Sequence, residues 1–255
     1  MERMKLKKVF NILCLFPILF FLSCNSESDK IDIRDYYFPL KALTEGQVYE
    51  YQPIDNDTLG PNYWYYRSFL SKEEKFLTGT YYERDLIPQQ FVREEMIHNG
   101  MLLEEIKLAV ADTSGKSEME SAEIVSGSVF PFEVRDSGGI FLYKISWSVP
   151  VDPPMQTTLI KNRRYIGKDT YTYKDKTYDC VVFDVKELFE VDQEGYFEQE
   201  YSGIEYYAKG LGLIYYKKKI SEEFALEYQL ADTYPMEVLE ERFKKMQTEL
   251  EPSKD

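Results

Sequence analysis

From Gln47 onward the chain is cut into short runs rich in Tyr, Phe, Val, Ile and Thr, each ended by a few turn-forming residues. Aromatic and β-branched side chains fit a pleated, half-buried surface, and connections this short let consecutive strands pair only antiparallel. Parallel α/β architectures, which need a crossover of a dozen or more residues, are thereby set aside. The aromatic content strengthens the β bias: 22 Tyr, 16 Phe and 2 Trp make up 16% of 255 residues. A hydrophobic fraction of 44% can fill a sizeable core, which excludes collagen-like, low-complexity and wholly disordered chains.

The runs can be placed along the chain. Residues 47–52 and 63–71 flank the polar, turn-rich Asp55-Asn56-Asp57-Thr58-Leu59-Gly60-Pro61, and residues 76–83 follow as a third strand. Residues 91–98 and 101–110 flank Asn99-Gly100, a dipeptide suited to the two positive-φ positions of a type I′ turn, so a long hairpin is expected there. Residues 112–122, rich in Ser, Gly and Glu, read as a loop. Strands at 129–134, 140–149 and 157–166 follow, interrupted at Asp152-Pro153-Pro154. The remainder reads as a meander of 165–173, 177–191, 196–208, 211–220 and 224–231, with turns at Lys174-Asp175-Lys176 and Asp192-Gln193-Glu194-Gly195.

One helix stands out. Met236, Leu239, Phe243, Met246 and Leu250 recur at spacings of three and four behind Pro235, a residue tolerated in a first helical turn. Its polar face mixes Glu237, Glu240, Glu241, Arg242, Lys244 and Lys245, so it suits a cover for the sheet better than a membrane-surface helix. No repeat recurs at a fixed spacing, which disfavours propellers and solenoids. The expected fold is therefore mainly β: a strongly twisted antiparallel sheet forming a half-barrel or barrel, with the C-terminal helix covering an opening. A β-sandwich is the alternative.

The first residues differ from all that follows. Arg3, Lys5, Lys7 and Lys8 precede an uncharged apolar run from Val9 to Leu22, which is the layout of a signal peptide. At 14 residues, with Asn11 and Pro17 inside it, the run is short of the ~20 needed to span ~30 Å of hydrocarbon. It ends at Phe21-Leu22-Ser23-Cys24, and here the chain resembles bacterial lipoproteins, in which signal peptidase cuts before a cysteine carrying diacylglycerol. That resemblance implies a lipidated Cys24 as mature N-terminus, bearing acyl chains such as palmitate. An ordinary secretory signal with an incidental cysteine is the other reading, and the signal starts at Met1 or Met4. Each buried acyl CH₂ contributes ~0.8 kcal/mol, so two or three chains hold firmly where one binds reversibly.

The division that follows is a signal peptide at 1–23, a lipidated tether at 24–35, one β-rich domain at 36–250 and a tail at 251–255. Residues 25–34 are polar and without apolar periodicity, which suggests a solvated tether. Of three cysteines, Cys14 leaves with the signal, Cys24 is acylated and Cys180 stays alone in a strand-like run, expected buried and inert. No internal disulfide is then possible. Residues 1–23 take with them four basic groups and Glu2, so the mature balance is 27 − 44 = −17, against 31 − 45 = −14 for the whole chain. Neither nucleic acid nor an anionic lipid surface would attract such a body, and its membrane attachment must come from lipid.

Catalytic chemistry has little to stand on. His98 is the only histidine and precedes the expected hairpin turn, where it should be exposed; Gly-x-Ser-x-Gly and phosphate-loop patterns are absent. Asp55-x-Asp57 with Gly60 resembles the opening of a calcium loop, but Leu59 and Tyr66 occupy positions where ligands belong. One histidine and one mature thiol supply no usual zinc set. A hydrolase built on two carboxylates stays open in principle, yet Glu94-Glu95, Glu104-Glu105 and Glu222-Glu223 read as including solvent-facing residues. No catalytic, cofactor or metal residue is expected.

The most distinctive stretch of the mature chain is Tyr206-Tyr207-Ala208-Lys209-Gly210-Leu211-Gly212-Leu213-Ile214. It resembles a Tyr-Ala-x-Gly-x-Gly-Leu element of β-rich Gram-negative lipoproteins, some related in shape to outer-membrane lipoprotein carriers. The resemblance implies an outer-membrane destination, with Asn25 rather than Asp after Cys24. Physically, Gly210 and Gly212 permit a tight turn or bulge and close backbone approach. The expected function is a non-enzymatic, membrane-anchored module binding an apolar ligand or peptide on a concave aromatic face. An accessory subunit docked on another envelope protein is the alternative.

Overall fold

A twelve-stranded ring cannot be filled by its own side chains, since eight strands already give an interior just wide enough for that. The computed structural model, which describes residues 30–250 apart from 57, 84–85 and 136–138, shows how this chain meets that constraint. The chain runs β1 (Lys30–Asp32), two short 3₁₀ turns (Arg34–Tyr36 and Leu40–Leu43), β2 (Gln47–Pro53), β3 (Asn62–Leu70), β4 (Lys75–Tyr82) and β5 (Pro88–Ile97). Next come β6 (Gly100–Ala111), β7 (Ser117–Ser121), β8 (Glu123–Pro131), β9 (Glu133–Arg135), β10 (Ile140–Val149) and β11 (Met155–Tyr173). Finally β12 (Lys176–Asp192), β13 (Tyr196–Ala208), β14 (Gly212–Lys219) and β15 (Ala225–Tyr234) lead into α1 (Met236–Leu250).

The strands pair antiparallel in the order β5-β4-β3-β2-β15-β14-β13-β12-β11-β10-β8-β6, and β6 returns to β5, so twelve strands close a barrel. β7 hangs on β6 outside the ring, and β9 pairs with β1 in a separate small sheet. The expected barrel with a C-terminal helix is what forms; the sandwich is not.

Several local readings change. The type I′ geometry lies at Lys174-Asp175, with φ of 48° and 60°, between β11 and β12. The β5–β6 hairpin instead turns at His98-Asn99, because Ile97 pairs with Gly100, and neither Asn99 nor Gly100 has a positive φ. Gly100 is needed for another reason: a Cβ there would lie 2.5 Å from the Phe130 carbonyl oxygen. The presumed loop at 112–122 contains β7, and the runs at 157–166 and 165–173 are one strand, β11, bulged between Tyr165 and Gly167.

Part of the expected tether is structured. Lys30–Asp32 pairs with Glu133–Arg135, and Ile33 has no exposed surface, so residues 30–35 of the expected tether belong to the folded body. The segment that follows is a plug. Tyr37 packs on Phe130, Phe38 on Tyr49 and Tyr66, and Ile33, Tyr36 and Leu43 join the same buried cluster. It seals the barrel end where the β5–β6 and β13–β14 turns lie, with Gly210 N–H donating to Asp35 O and the Ser68 hydroxyl to Leu40 O. Burying these side chains supplies the apolar volume that the wide ring lacks.

The helix covers a wall, not an opening. Along β2 side chains alternate, with Tyr49 and Tyr51 inward and Val48 and Glu50 outward. Leu239 and Phe243 pack on Val48, Tyr63 and Tyr234, and Arg242 pairs with Glu50 at 2.8 Å, all on the outer face. Other outward positions carry Asp184, Lys186, Glu200 and Lys217, paired across strands as Arg164–Asp184, Lys186–Glu200 and Lys217–Glu227. Such an exterior suits water, since a cation at the bilayer midplane on a barrel's lipid face costs ~2–4 kcal/mol. Among the described residues no helix is long and apolar enough to cross a membrane.

Candidate functional site

The plug stops short of filling the barrel. Above it lies a cavity of about 340 Å³ whose floor is Tyr37 and Phe38 and whose walls include Trp64, Tyr66, Tyr143, Tyr207 and Tyr216. Trp64 stacks on Tyr66, another lining residue, and on Tyr81, which does not line the cavity, with ring planes 6° and 28° apart. Since the plug forms the floor, the cavity faces the opposite end of the barrel.

Its charged groups come from inward positions of four strands, Glu94 on β5, Lys161 and Arg163 on β11, Glu187 on β12 and Glu205 on β13, and Lys218 on β14 adjoins them from a neighbouring pocket. Register brings them together, because Lys161 stands opposite Glu187 and Glu205 opposite Phe183, the neighbour of the Arg163 partner Val185 along the same face. Glu205 is engaged at both oxygens. It accepts from Arg163 Nε at 2.7 Å, Lys161 Nζ at 2.7 Å and the Tyr207 hydroxyl at 3.0 Å. Glu187 is held by Lys161 at 3.1 Å and Lys218 at 2.5 Å.

These contacts set the protonation states. Burial alone would raise Glu205, but Arg163 and Lys161 outweigh it and hold the carboxyl well below the usual range. Burial likewise opposes Glu187, and Lys161 and Lys218 overcome it to bring the group down to about 2. Glu94 behaves oppositely. Burial pushes it up, only partly offset by the Tyr37 hydroxyl, which donates to its Oε2, and by nearby Arg163. It keeps some accessible surface, turned toward the cavity. Tyr37, Tyr66 and Tyr207 are raised well above 10 by burial and stay neutral.

A carboxylate-pair hydrolase needs a protonated acid beside an ionised partner free to act as base or nucleophile. Glu94, raised by burial, leans toward the first requirement. The second fails, because each oxygen of Glu187 and Glu205 is bound by a cation, which weakens it as a base. The arrangement is built to hold charges still.

Cys24 lies outside the described residues, as do the signal peptide and the tail. Cys180 is buried and unpaired, its thiol pushed up to about 11 by burial. His98 is exposed in its turn. Among the described residues no group of His, Cys, Asp or Glu is placed to hold a metal ion, and residue 57 is not one of them. Of the Glu94-Glu95 pair, expected to include a solvent-facing residue, Glu94 lines the cavity and its neighbour alternates to the other face. Gly210 and Gly212 both have positive φ, at 77° and 91°, and a Cβ on Gly212 would lie 2.5 Å from the Phe38 ring. The distinctive glycine element thus seats the plug.

The charged members escaped notice in the sequence because each looks like any other strand charge. A signal exists: on β12 the alternating series Val181, Phe183, Val185, Glu187, Phe189, Val191 places one acid among apolar inward residues.

Fold and site together define a closed antiparallel barrel, plugged at one end, with an internal aromatic and ionic cavity. No protein-family model matches the chain, and no curated protein matches it. Among solved structures, a candidate lipoprotein from Parabacteroides distasonis superposes over 78% of this chain and 98% of its own, at 14% identity and a TM-score of 0.47.

Proposed function

We propose that this chain is an outer-membrane lipoprotein, tied down through acyl chains on Cys24, whose barrel is a non-enzymatic binding module. The observation that carries the binding part is the cavity of about 340 Å³, within the ~300–1,000 Å³ usual for small-ligand sites. Its stacked aromatic wall suits an apolar surface, and the plug keeps the site in place from below. The anchoring part rests on the basic start, short apolar run and terminal cysteine of residues 1–24. Two measurements test the reading. Cys24→Ala should move the protein from the membrane fraction to the soluble one. Mass spectrometry of the organic extract of the purified full chain should find a small molecule that Leu159→Trp, which fills the cavity, loses. A chain that stays on the membrane without Cys24, or an empty extract from both proteins, overturns the corresponding part.

A second reading, an accessory subunit, is favoured by Ile140, Leu142 and Ile166, exposed by 68%, 37% and 50% on the outer faces of adjoining β10 and β11. Gentle detergent extraction yielding a defined complex that Ile140→Asp dissolves would support it; a monomer in both cases would not.

A further inference from the structure

We propose that the cavity takes a small amphipathic monoanion, its charge set against Arg163 and its apolar body against Trp64, Tyr66 and Tyr216, with Glu94 competing for Arg163. This inference rests on the binding function proposed above and names its ligand class.

The charge count points to an anion. Arg163, Glu205, Lys161 and Glu187 line the cavity and their ionic chain ends at Lys218 in the adjoining pocket, so the five linked groups sum to 3 − 2 = +1. Glu94 is the sixth, and it is the one acid of the set with no cation among its hydrogen-bond partners. When Glu94 carries its proton, this linked chain keeps a net positive charge beside the cavity, where charge interactions are stronger than in water. A cationic ligand would meet Lys161 and Arg163 there. An anion would complete the set.

Arg163 has donors left for it. A guanidinium carries five N–H groups. Nε is committed to Glu205 at 2.7 Å, while Nη2 reaches Glu205 and Nη1 reaches the Val129 carbonyl only at 3.5 Å each. Two N–H groups have no acceptor among the described residues, and the two long bonds are easily exchanged. A carboxylate, sulfonate or comparable group would match this planar fork. The volume suits a ring system or short chain as the rest of the molecule.

The groups facing Glu94 are Tyr37 on the plug, Tyr66 on β3, Tyr143 on β10, Arg163 on β11 and Tyr207 on β13. The tyrosines are neutral throughout the acid and neutral range and Arg163 is always charged, so Glu94 alone titrates there. As pH falls, Glu94 gains its proton, its attraction for the Arg163 charge ends and anion binding strengthens. Binding an anion therefore takes up a proton.

Calorimetry on the full chain in detergent, with a micelle blank, uses 1-naphthaleneacetate and its neutral isostere 1-naphthaleneacetamide. The anion should bind one per chain about tenfold or more tightly than the amide near pH 5, as expected for a charge-assisted contact. That preference should fade toward pH 8. In Glu94→Gln it should persist to pH 8, since the competitor is gone. Equal binding of the two probes, or an unchanged pH profile in Glu94→Gln, overturns the inference and leaves the cavity function standing. Binding of neither probe overturns both.

Discussion

Replacing Glu205 by Gln changes almost no volume and removes one charge, so its effect isolates the ionic network. In the native barrel the carboxylate, with a side chain only 7% exposed, neutralises Arg163 and shares Lys161 with Glu187. After substitution Lys161 keeps Glu187 at 3.1 Å, but Arg163 has lost its one ion-pair partner among the described residues while remaining buried. Breaking a buried pair on one side costs about 3–5 kcal/mol, because the surviving charge is left uncompensated. A domain of this size loses about 2–4 °C of Tm per kcal/mol, so Glu205→Gln should lower Tm by about 6–20 °C. Urea unfolding followed by tryptophan fluorescence gives the free energy directly. Arg163→Met and the double variant close a thermodynamic cycle, in which the double variant should be at least ~2 kcal/mol better than the sum of the singles. A loss below about 1 kcal/mol with no coupling would match a solvent-exposed ion pair and would refute the buried network.

Acid should attack the same network. Glu187 is lowered from 4.5 to about 2, so its contribution is complete above the ordinary value and disappears as pH falls from about 4.5 to 2. That gap corresponds to about 3 kcal/mol, to be read from urea unfolding across that pH range; Lys161→Met should flatten the slope. Gly212→Ala should cost about 2–5 kcal/mol, from left-handed strain plus overpacking against Phe38, whereas Gly210→Ala, with open space around its Cβ, should cost only about 1–2. Equal losses in thermal melts would deny that Gly212 seats the plug. Leu239→Ala should destabilise by about 2–5 kcal/mol yet leave calorimetric binding of 1-naphthaleneacetate unchanged, because the helix sits on the outer wall.

The strands were legible because period-2 patterning and short turns are local. β13 occupies the run expected of it, and the helix stripe from Met236 is matched by burial of Leu239 and Phe243. What the sequence hid depends on pairing between distant segments. Ile31 and Ile33 alternate with charges in a stretch that reads as polar, and only β9, a hundred residues away, reveals it as a strand. Asn99-Gly100 has the composition of a type I′ turn, but the close approach of β8 claims Gly100 for the strand. The cavity is harder still: Glu94 and Glu205 stand far apart in sequence, and a one-residue slip in either strand would turn it outward.

The position of the plug carries a consequence for orientation. Lys30 lies six residues beyond Cys24, a span of at most about 20 Å even when fully extended. With Cys24 acylated, the sealed end of the barrel would hang close above the lipid headgroups, and the mouth would look out into the aqueous compartment. Cargo would then arrive from solution, and lateral entry from the bilayer would meet the stopper first.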